Sequence, residues 1–200
     1  MTLFLRIFLL VSLMLFFIVL MVFRAYVVWK QTGKNPIIVS KEDNAHSLMS
    51  KYLMLMMLLL AVFVIANVVV PASYNYFLPI FWLEHIYLQD FGAGIMLIAL
   101  LLTYASQAQM HDSWRLGIDE QTKTALVTKG LFQYSRNPIY LGMVMALLGV
   151  FFIAPTAATC LTLLLGYVLM QIQIRLEEEY LTKLHGQQFL DFKRKVRRWI

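Results

Sequence analysis

Two stretches of the chain place charged and polar residues directly beside strongly apolar sequence. The first covers residues 126–142, and the second covers residues 175–200, where an arginine is followed closely by three glutamates. Charge in or beside a membrane span is costly, so such clusters are candidate sites where carboxylates and guanidinium groups bind a polar ligand. A structural explanation is also open. Asn137 and Pro138 suit the start of a helix, residues 177–179 with Lys183 suit a solvated helix face, and spacing alone identifies no ligand.

The composition indicates an integral membrane protein. Of the 200 residues, 60% are hydrophobic and 14% are charged, and the mean hydropathy is +0.70. A soluble domain carries about 25% charged residues, because its surface faces water. At this length we expect one domain covering residues 1–200. The sequence therefore predicts an all-α membrane fold.

Five apolar runs are candidate transmembrane helices, covering residues 7–23, 52–70, 91–105, 139–153 and 157–170. The first exceeds a typical signal-peptide core and has no small-residue cleavage site, so we interpret it as a retained helix. Only three residues separate the last two runs, which predicts a tight helical hairpin. The aromatic segment 74–87 suits a membrane–water interface. We expect residues 1–105 to form N-terminal spans and residues 106–200 to form the core that carries the site.

The distribution of positive charge predicts a topology. Five spans with the N-terminus outside put sixteen of the seventeen lysines and arginines on one side and leave Arg6 opposite. By the positive-inside rule, the basic loops and the C-terminus are cytoplasmic. The basic tail lies beside a span, so we expect it to meet anionic lipid head groups rather than nucleic acid.

Cysteine and histidine usage does not suggest a metal centre. Cys160 is the single cysteine, and the histidines at 46, 85, 111 and 185 have no ligand-like spacing. We therefore expect no protein-bound metal and no internal disulfide. His111 and Asp112 are interpreted as interfacial rather than catalytic.

Taken together, the two polar stretches resemble the isoprenylcysteine carboxyl methyltransferase family and, more loosely, its phospholipid methyltransferase relatives. Residues 126–142 are similar to the family pattern LVT-x-G-x-(Y/F)-x-x-x-R-(H/N)-P-x-Y-x-G. The second family pattern is met at Glu177, Glu178, Leu181, Gly186, Phe189, Phe192, Val196 and Arg198. The resemblance covers about the last ninety residues and rests on two ordered motifs across a hairpin.

The resemblance implies a methyltransferase that uses S-adenosylmethionine, bound near the cytoplasmic face, and a lipophilic acceptor that enters from the bilayer. By position, the family's cofactor contacts fall on Thr124, Ala125, Leu126, Val127, Phe132, Asn137, Pro138, Ile139, Tyr140 and Glu177. Apolar and aromatic residues there can enclose adenine, and a carboxylate can hold amino or ribose groups. Methyl transfer is a direct displacement, so the protein's work is mostly alignment and desolvation.

The acceptor side departs from the family. Its carboxylate-binding arginine lies four residues before the first glutamate of the motif, and that position is Gln173 here. Arg175 is about 200° around a helix from Gln173, at about 100° per residue. Gln173, Arg175 and Glu178 are the acceptor-side candidates. The family also often has histidine where Asn137 stands.

Several functions stay open. The acceptor is a prenylated carboxylate, a phospholipid amine or a small thiol. A nicotinamide-dependent membrane reductase of the same fold ranks lower, because its signatures are not recognisable in the sequence. In another class, the chain is a non-catalytic membrane protein that shares the fold.

Overall fold

The computed structural model describes residues 1–37, 45–115 and 125–200. Within them lie six α-helices: α1 (Leu3–Thr32), α2 (Ala45–Val69), α3 (Ile86–Gln109), α4 (Pro138–Ile153), α5 (Ala157–His185) and α6 (Gln187–Lys195). α1 contains a π-helical segment, Ile18–Phe23. The described residues form no strand, and an isolated bridge joins Pro79 to Thr156. The predicted all-α fold is confirmed.

Four helices, α1, α2, α3 and α5, are long and apolar enough to cross a membrane. α4 is also apolar but has 16 residues, a length of about 24 Å at about 1.5 Å per residue. Large apolar side chains such as Leu58 and Leu164 are more than half exposed, as lipid-facing side chains are. The predicted membrane protein is confirmed, with the fourth of its five predicted spans shorter than the others. α5 continues to His185, well past the predicted end at residue 170.

The predicted hairpin between α4 and α5 is present and is closed by a short turn. Thr156 caps α5: its hydroxyl accepts a hydrogen bond from the backbone N–H of Thr159, and the Thr159 hydroxyl accepts one from the N–H of Thr156. The loop that follows α2 is held on this turn, because the N–H of Ile80 donates to the Pro155 carbonyl at 2.8 Å. We call residues 71–85 and 154–156 the hairpin end of the bundle.

The opposite end of the bundle, which we call the loop end, carries the candidate site. It comprises residues 111–115, 125–140 and 173–200. Arg24, in the last part of α1, reaches this end and donates to the His111 carbonyl at 2.7 Å. Buried Trp114 packs there against Ala25 and Val28 of α1.

Glycines let α3 and α4 pack very closely. A Cβ atom on Gly142 would collide with the Thr103 side chain, and one on Gly149 would lie 2.9 Å from the Gly92 carbonyl oxygen. Small residues allow this close approach of helix backbones in membranes. The contact fixes α4 against α3, and it therefore fixes the position of the α4 N-terminus at the loop end.

Candidate functional site

The loop before α4 is pinned to the end of α3. Gly130 has φ +67°, a backbone conformation that favours glycine, and a Cβ atom there would collide with the Gln109 amide. That amide oxygen accepts a hydrogen bond from the Leu131 N–H at 2.8 Å. Earlier in the loop, the Ser113 hydroxyl donates to the Ala125 carbonyl at 3.0 Å. The predicted contact Thr124 lies outside the described residues.

Three of the predicted cofactor contacts share one apolar cluster. Phe132 is buried against Phe189 and Phe192 of α6, and half-buried Leu126 and Val127 pack on the same cluster. α6 can fold back to make these contacts because the chain turns at Gly186, where φ is +54°. The two sequence stretches are thus brought together, as the site prediction requires.

Glu178 lies at the centre of an ion cluster. Glu178 is 4% exposed, and its carboxylate pairs with two arginines, one from each stretch. Arg136 donates to Oε1 at 2.8 and 3.2 Å, and Arg198 donates to Oε2 at 2.8 Å and to Oε1 at 3.1 Å. The hydrogen bond to Glu178 also raises the pKa of Arg198 above its usual value, despite partial burial. Both Glu178 oxygens are therefore occupied by protein groups.

Arg136 also joins the loop to the end of α6 and to the chain that follows it. Arg136 donates through Nη1 to the carbonyls of Lys193 and Val196, at 2.9 and 2.8 Å. Its backbone N–H donates to the Arg197 carbonyl, and the Asn137 amide donates to the Arg198 carbonyl at 3.1 Å. Asn137 is thus buried in a contact with the residues that follow α6. These hydrogen bonds hold the start of α4 in place.

Sequence reasoning did not assign roles to Arg136 and Arg198. Both stand in the motifs quoted above, where one precedes Asn137-Pro138 and the other ends the second pattern. A motif arginine beside a membrane span needs a buried partner, and that requirement was the signal that could have found them.

Tyr140 and Glu177 form the second polar contact of the site. The Tyr140 hydroxyl donates to Glu177 Oε2 at 3.0 Å, and both side chains are half-buried. Glu177 Oε1 accepts no hydrogen bond from the described residues. Gln173, one helical turn before Glu177, neighbours the same hydroxyl. Its amide is buried, and its Oε1 has no hydrogen-bond partner in the part of the chain that the structure describes. Beside Tyr140 there are thus two acceptor oxygens to which no described residue donates a hydrogen bond.

The remaining predicted residues lie elsewhere. Pro138 is the first residue of α4, and Ile139 packs against the Trp114 cluster at the end of α1. Arg175 is exposed, and its Nη1 donates to the backbone and side-chain oxygens of Gln171 at 2.7 and 2.8 Å. Gln173 points inward and Arg175 outward, so the structure does not bring Arg175 to Tyr140 and Glu177.

Comparison with known proteins gives one match. A family model described as phospholipid methyltransferase matches residues 88–188. The matched region covers nearly all of α3, all of α4 and α5 and the loop between α3 and α4, and it ends before the arginine that closes the ion cluster. No curated protein and no solved structure matches the chain.

Proposed function

This chain belongs to the phospholipid methyltransferase family, and from that membership we propose a membrane enzyme that moves the methyl group of S-adenosylmethionine to a lipophilic acceptor. The observation that carries the proposal is the Tyr140–Glu177 contact at 3.0 Å, which joins the two motif stretches at the loop end. This contact leaves Glu177 with one acceptor oxygen available to a ligand.

The residues around Tyr140 fit the chemistry of the methyl donor, S-adenosylmethionine. S-adenosylmethionine carries an ammonium group, two ribose hydroxyls and an adenine amino group, all of which donate hydrogen bonds. Buried polar atoms normally have partners, and Gln173 Oε1 has none among the described residues. Glu177 therefore offers a hydrogen-bond acceptor to S-adenosylmethionine, Gln173 Oε1 offers one to an N–H of the methyl acceptor on the other side of Tyr140, and Leu126 and Val127 offer apolar surface.

The polar residues of the site have separate roles in this mechanism. When bound, S-adenosylmethionine supplies a methyl group on a positively charged sulfur. Glu177 accepts hydrogen bonds from it, and Tyr140 orients Glu177. Glu178, an acceptor-side candidate in the sequence, is assigned instead to positioning, because Arg136 and Arg198 occupy both its oxygens. Alignment and exclusion of water are what such a site contributes to a direct displacement.

The acceptor in this proposal is neutral or cationic when it binds, and a phospholipid amine fits it best. Its ammonium form first releases a proton to water, and the neutral nitrogen then takes the methyl group from sulfur, leaving S-adenosylhomocysteine. A carboxylate in a low-dielectric pocket needs a guanidinium partner, which an amide cannot replace. Gln173 presents an amide inside, while Arg175 is directed away. The prenylcysteine carboxylate of the resembled family is therefore disfavoured, and the family description supports a phospholipid.

The proposed topology has five crossings with the loop end cytoplasmic. α4 begins at the loop end and ends at the hairpin end, so it crosses the bundle despite its length. This agrees with a charge distribution that leaves Arg6 alone opposite the other sixteen basic residues.

Binding and turnover together test the proposal. The purified chain in lipid nanodiscs should bind S-adenosylmethionine and S-adenosylhomocysteine in isothermal titration, and NADPH should give no heat of binding. Labelled donor should transfer its methyl group to a phospholipid in total membrane lipids, with small thiols and prenylcysteine as comparison acceptors. Binding of NADPH alone would indicate a reductase, and binding of none of the three would indicate a non-catalytic relative.

A further inference from the structure

A cationic cleft lies at the loop end between α5, the end of α6 and the chain that follows α6. It has a volume of about 500 Å³, and its lining includes Arg175, Thr182, Lys193 and Arg198. It does not include the polar contact between Tyr140 and Glu177.

The lining keeps an excess of positive charge after its internal ion pairs are counted. It has four cations and two carboxylates. Glu178 is already shared between Arg198 and Arg136, which lies outside the lining, and Glu179 pairs with Lys183 at 2.8 Å. The Lys193 ammonium is 3.7 Å from the already occupied Oε2 of Glu178. The unbalanced cations are therefore Arg175 and Lys193, which suit a phosphate group.

The cleft also lies at the depth of lipid head groups. α5 has 29 residues and is about 44 Å long, whereas the hydrocarbon core of a bilayer is about 30 Å thick. If α5 starts at one edge of the core, the first twenty residues or so fill it, and Arg175 lies at the other edge. Val168 and Leu164 stand seven and eleven residues before Arg175, so they share its helix face to within about 20°. Their side chains are 51% and 58% exposed.

We infer that this cleft binds the phosphate group of an anionic membrane phospholipid, with an acyl chain running along Val168 and Leu164. A cationic site continuous with an exposed apolar track matches a phospholipid and not a soluble phosphate. Arg175 is about 200° around α5 from both Gln173 and Glu177, so this site is on the opposite face from the proposed donor site. It is a second lipid site, independent of methyl transfer.

A matched pair of variants tests the inference. Arg175→Gln with Lys193→Gln removes the two phosphate ligands, and Lys195→Gln with Arg197→Gln removes the same charge from exposed tail positions outside the cleft. Full-length protein in phosphatidylcholine nanodiscs would be titrated with a fluorescent phosphatidylglycerol. The first pair should weaken its binding by about tenfold or more, as loss of charge-assisted hydrogen bonds does, and the second pair should weaken it far less.

Three further measurements identify the ligand and test whether the cleft is separate from the methyl-donor site. The charge-preserving pair Arg175→Lys and Lys193→Arg should retain binding, and inorganic phosphate should not displace the lipid. Equal losses in the two glutamine pairs would reduce the effect to general surface charge and overturn the site. Displacement by inorganic phosphate would overturn the lipid assignment. Loss of S-adenosylhomocysteine binding in the Arg175 and Lys193 pair would contradict a separate site.

Discussion

Replacing Glu177 by alanine should weaken donor binding without disturbing the ion cluster. In the structure Glu177 Oε2 accepts a hydrogen bond from Tyr140, and in the proposed function Oε1 accepts one from the ligand. Loss of one hydrogen bond to a charged group costs about 1.5–3 kcal/mol. At about 1.4 kcal/mol per tenfold, the dissociation constant of S-adenosylhomocysteine should rise about 10- to 150-fold.

The contact with Tyr140 allows the loss of binding free energy to be divided between the Glu177 carboxylate and the hydroxyl that orients it. Tyr140→Phe keeps the carboxylate and removes only the hydroxyl that orients it. We expect this variant to weaken binding by about 0.5–1.5 kcal/mol, or about 2- to 12-fold, the usual range for one hydrogen bond. If Tyr140 acts through Glu177, adding Tyr140→Phe to Glu177→Ala should cause little further loss, as double-mutant cycles show for coupled residues.

Isothermal titration of S-adenosylhomocysteine into nanodisc-embedded protein measures these constants directly. Glu179→Ala is the matched control, because Glu179 lies two residues further along α5 and carries the same charge on an exposed side chain, which pairs with Lys183 at 2.8 Å. Its dissociation constant should stay within about twofold of wild type, as for most exposed ion pairs. A folded Glu177→Ala protein with wild-type affinity would remove Glu177 from the donor site.

Three other predictions follow from the same geometry. Glu178→Gln leaves two arginines without their carboxylate and should lower the free energy of unfolding by about 3 kcal/mol. The loss is measured as a lower melting temperature in detergent, and Glu179→Gln should leave the melting temperature nearly unchanged. Gln173→Arg should raise methyl transfer to a prenylcysteine carboxylate; efficient turnover of that acceptor by the wild type would show that the buried amide does not set acceptor charge. A reporter placed after Ile200 should read cytoplasmic and one inserted within residues 72–80 should read external, and the same side for both would contradict five crossings.

Hydropathy predicted the spans well because burial in lipid depends on composition over a whole helix. It also stopped α5 at residue 170, because the apolar run ends there while the helix itself continues to His185. The tight hairpin was predictable from the three residues between the runs. Gly142 also suggested a close approach of helices, but its partner Thr103 was not predictable, since it is distant in sequence.

The candidate site, like the fold, was predictable from the sequence in part. The motif indicated that Tyr140 and Glu177 belong together, and they are in contact. The partners of Glu178 depend on the turn at Gly186, which brings Arg198 back to α5. The sequence motif therefore contained the charge of Glu178 but did not indicate which residues neutralise it. Helical periodicity was enough to separate Gln173 from Arg175, because about 200° of rotation puts them on opposite sides in any straight helix.

The shortness of α4 has a mechanical consequence for the surrounding bilayer. At about 24 Å it falls about 6 Å short of a hydrocarbon core of about 30 Å, and its glycine contacts with α3 fix its position in the bundle. Lipids beside a short apolar segment adapt by thinning locally, which draws their head groups inward. Every residue of α4 is buried or half-buried, so only its half-buried side can meet such lipids, and the first turn of this helix carries Tyr140. In the proposed function, a methyl-acceptor head group drawn inward beside α4 would travel less far to reach a methyl donor held at Glu177.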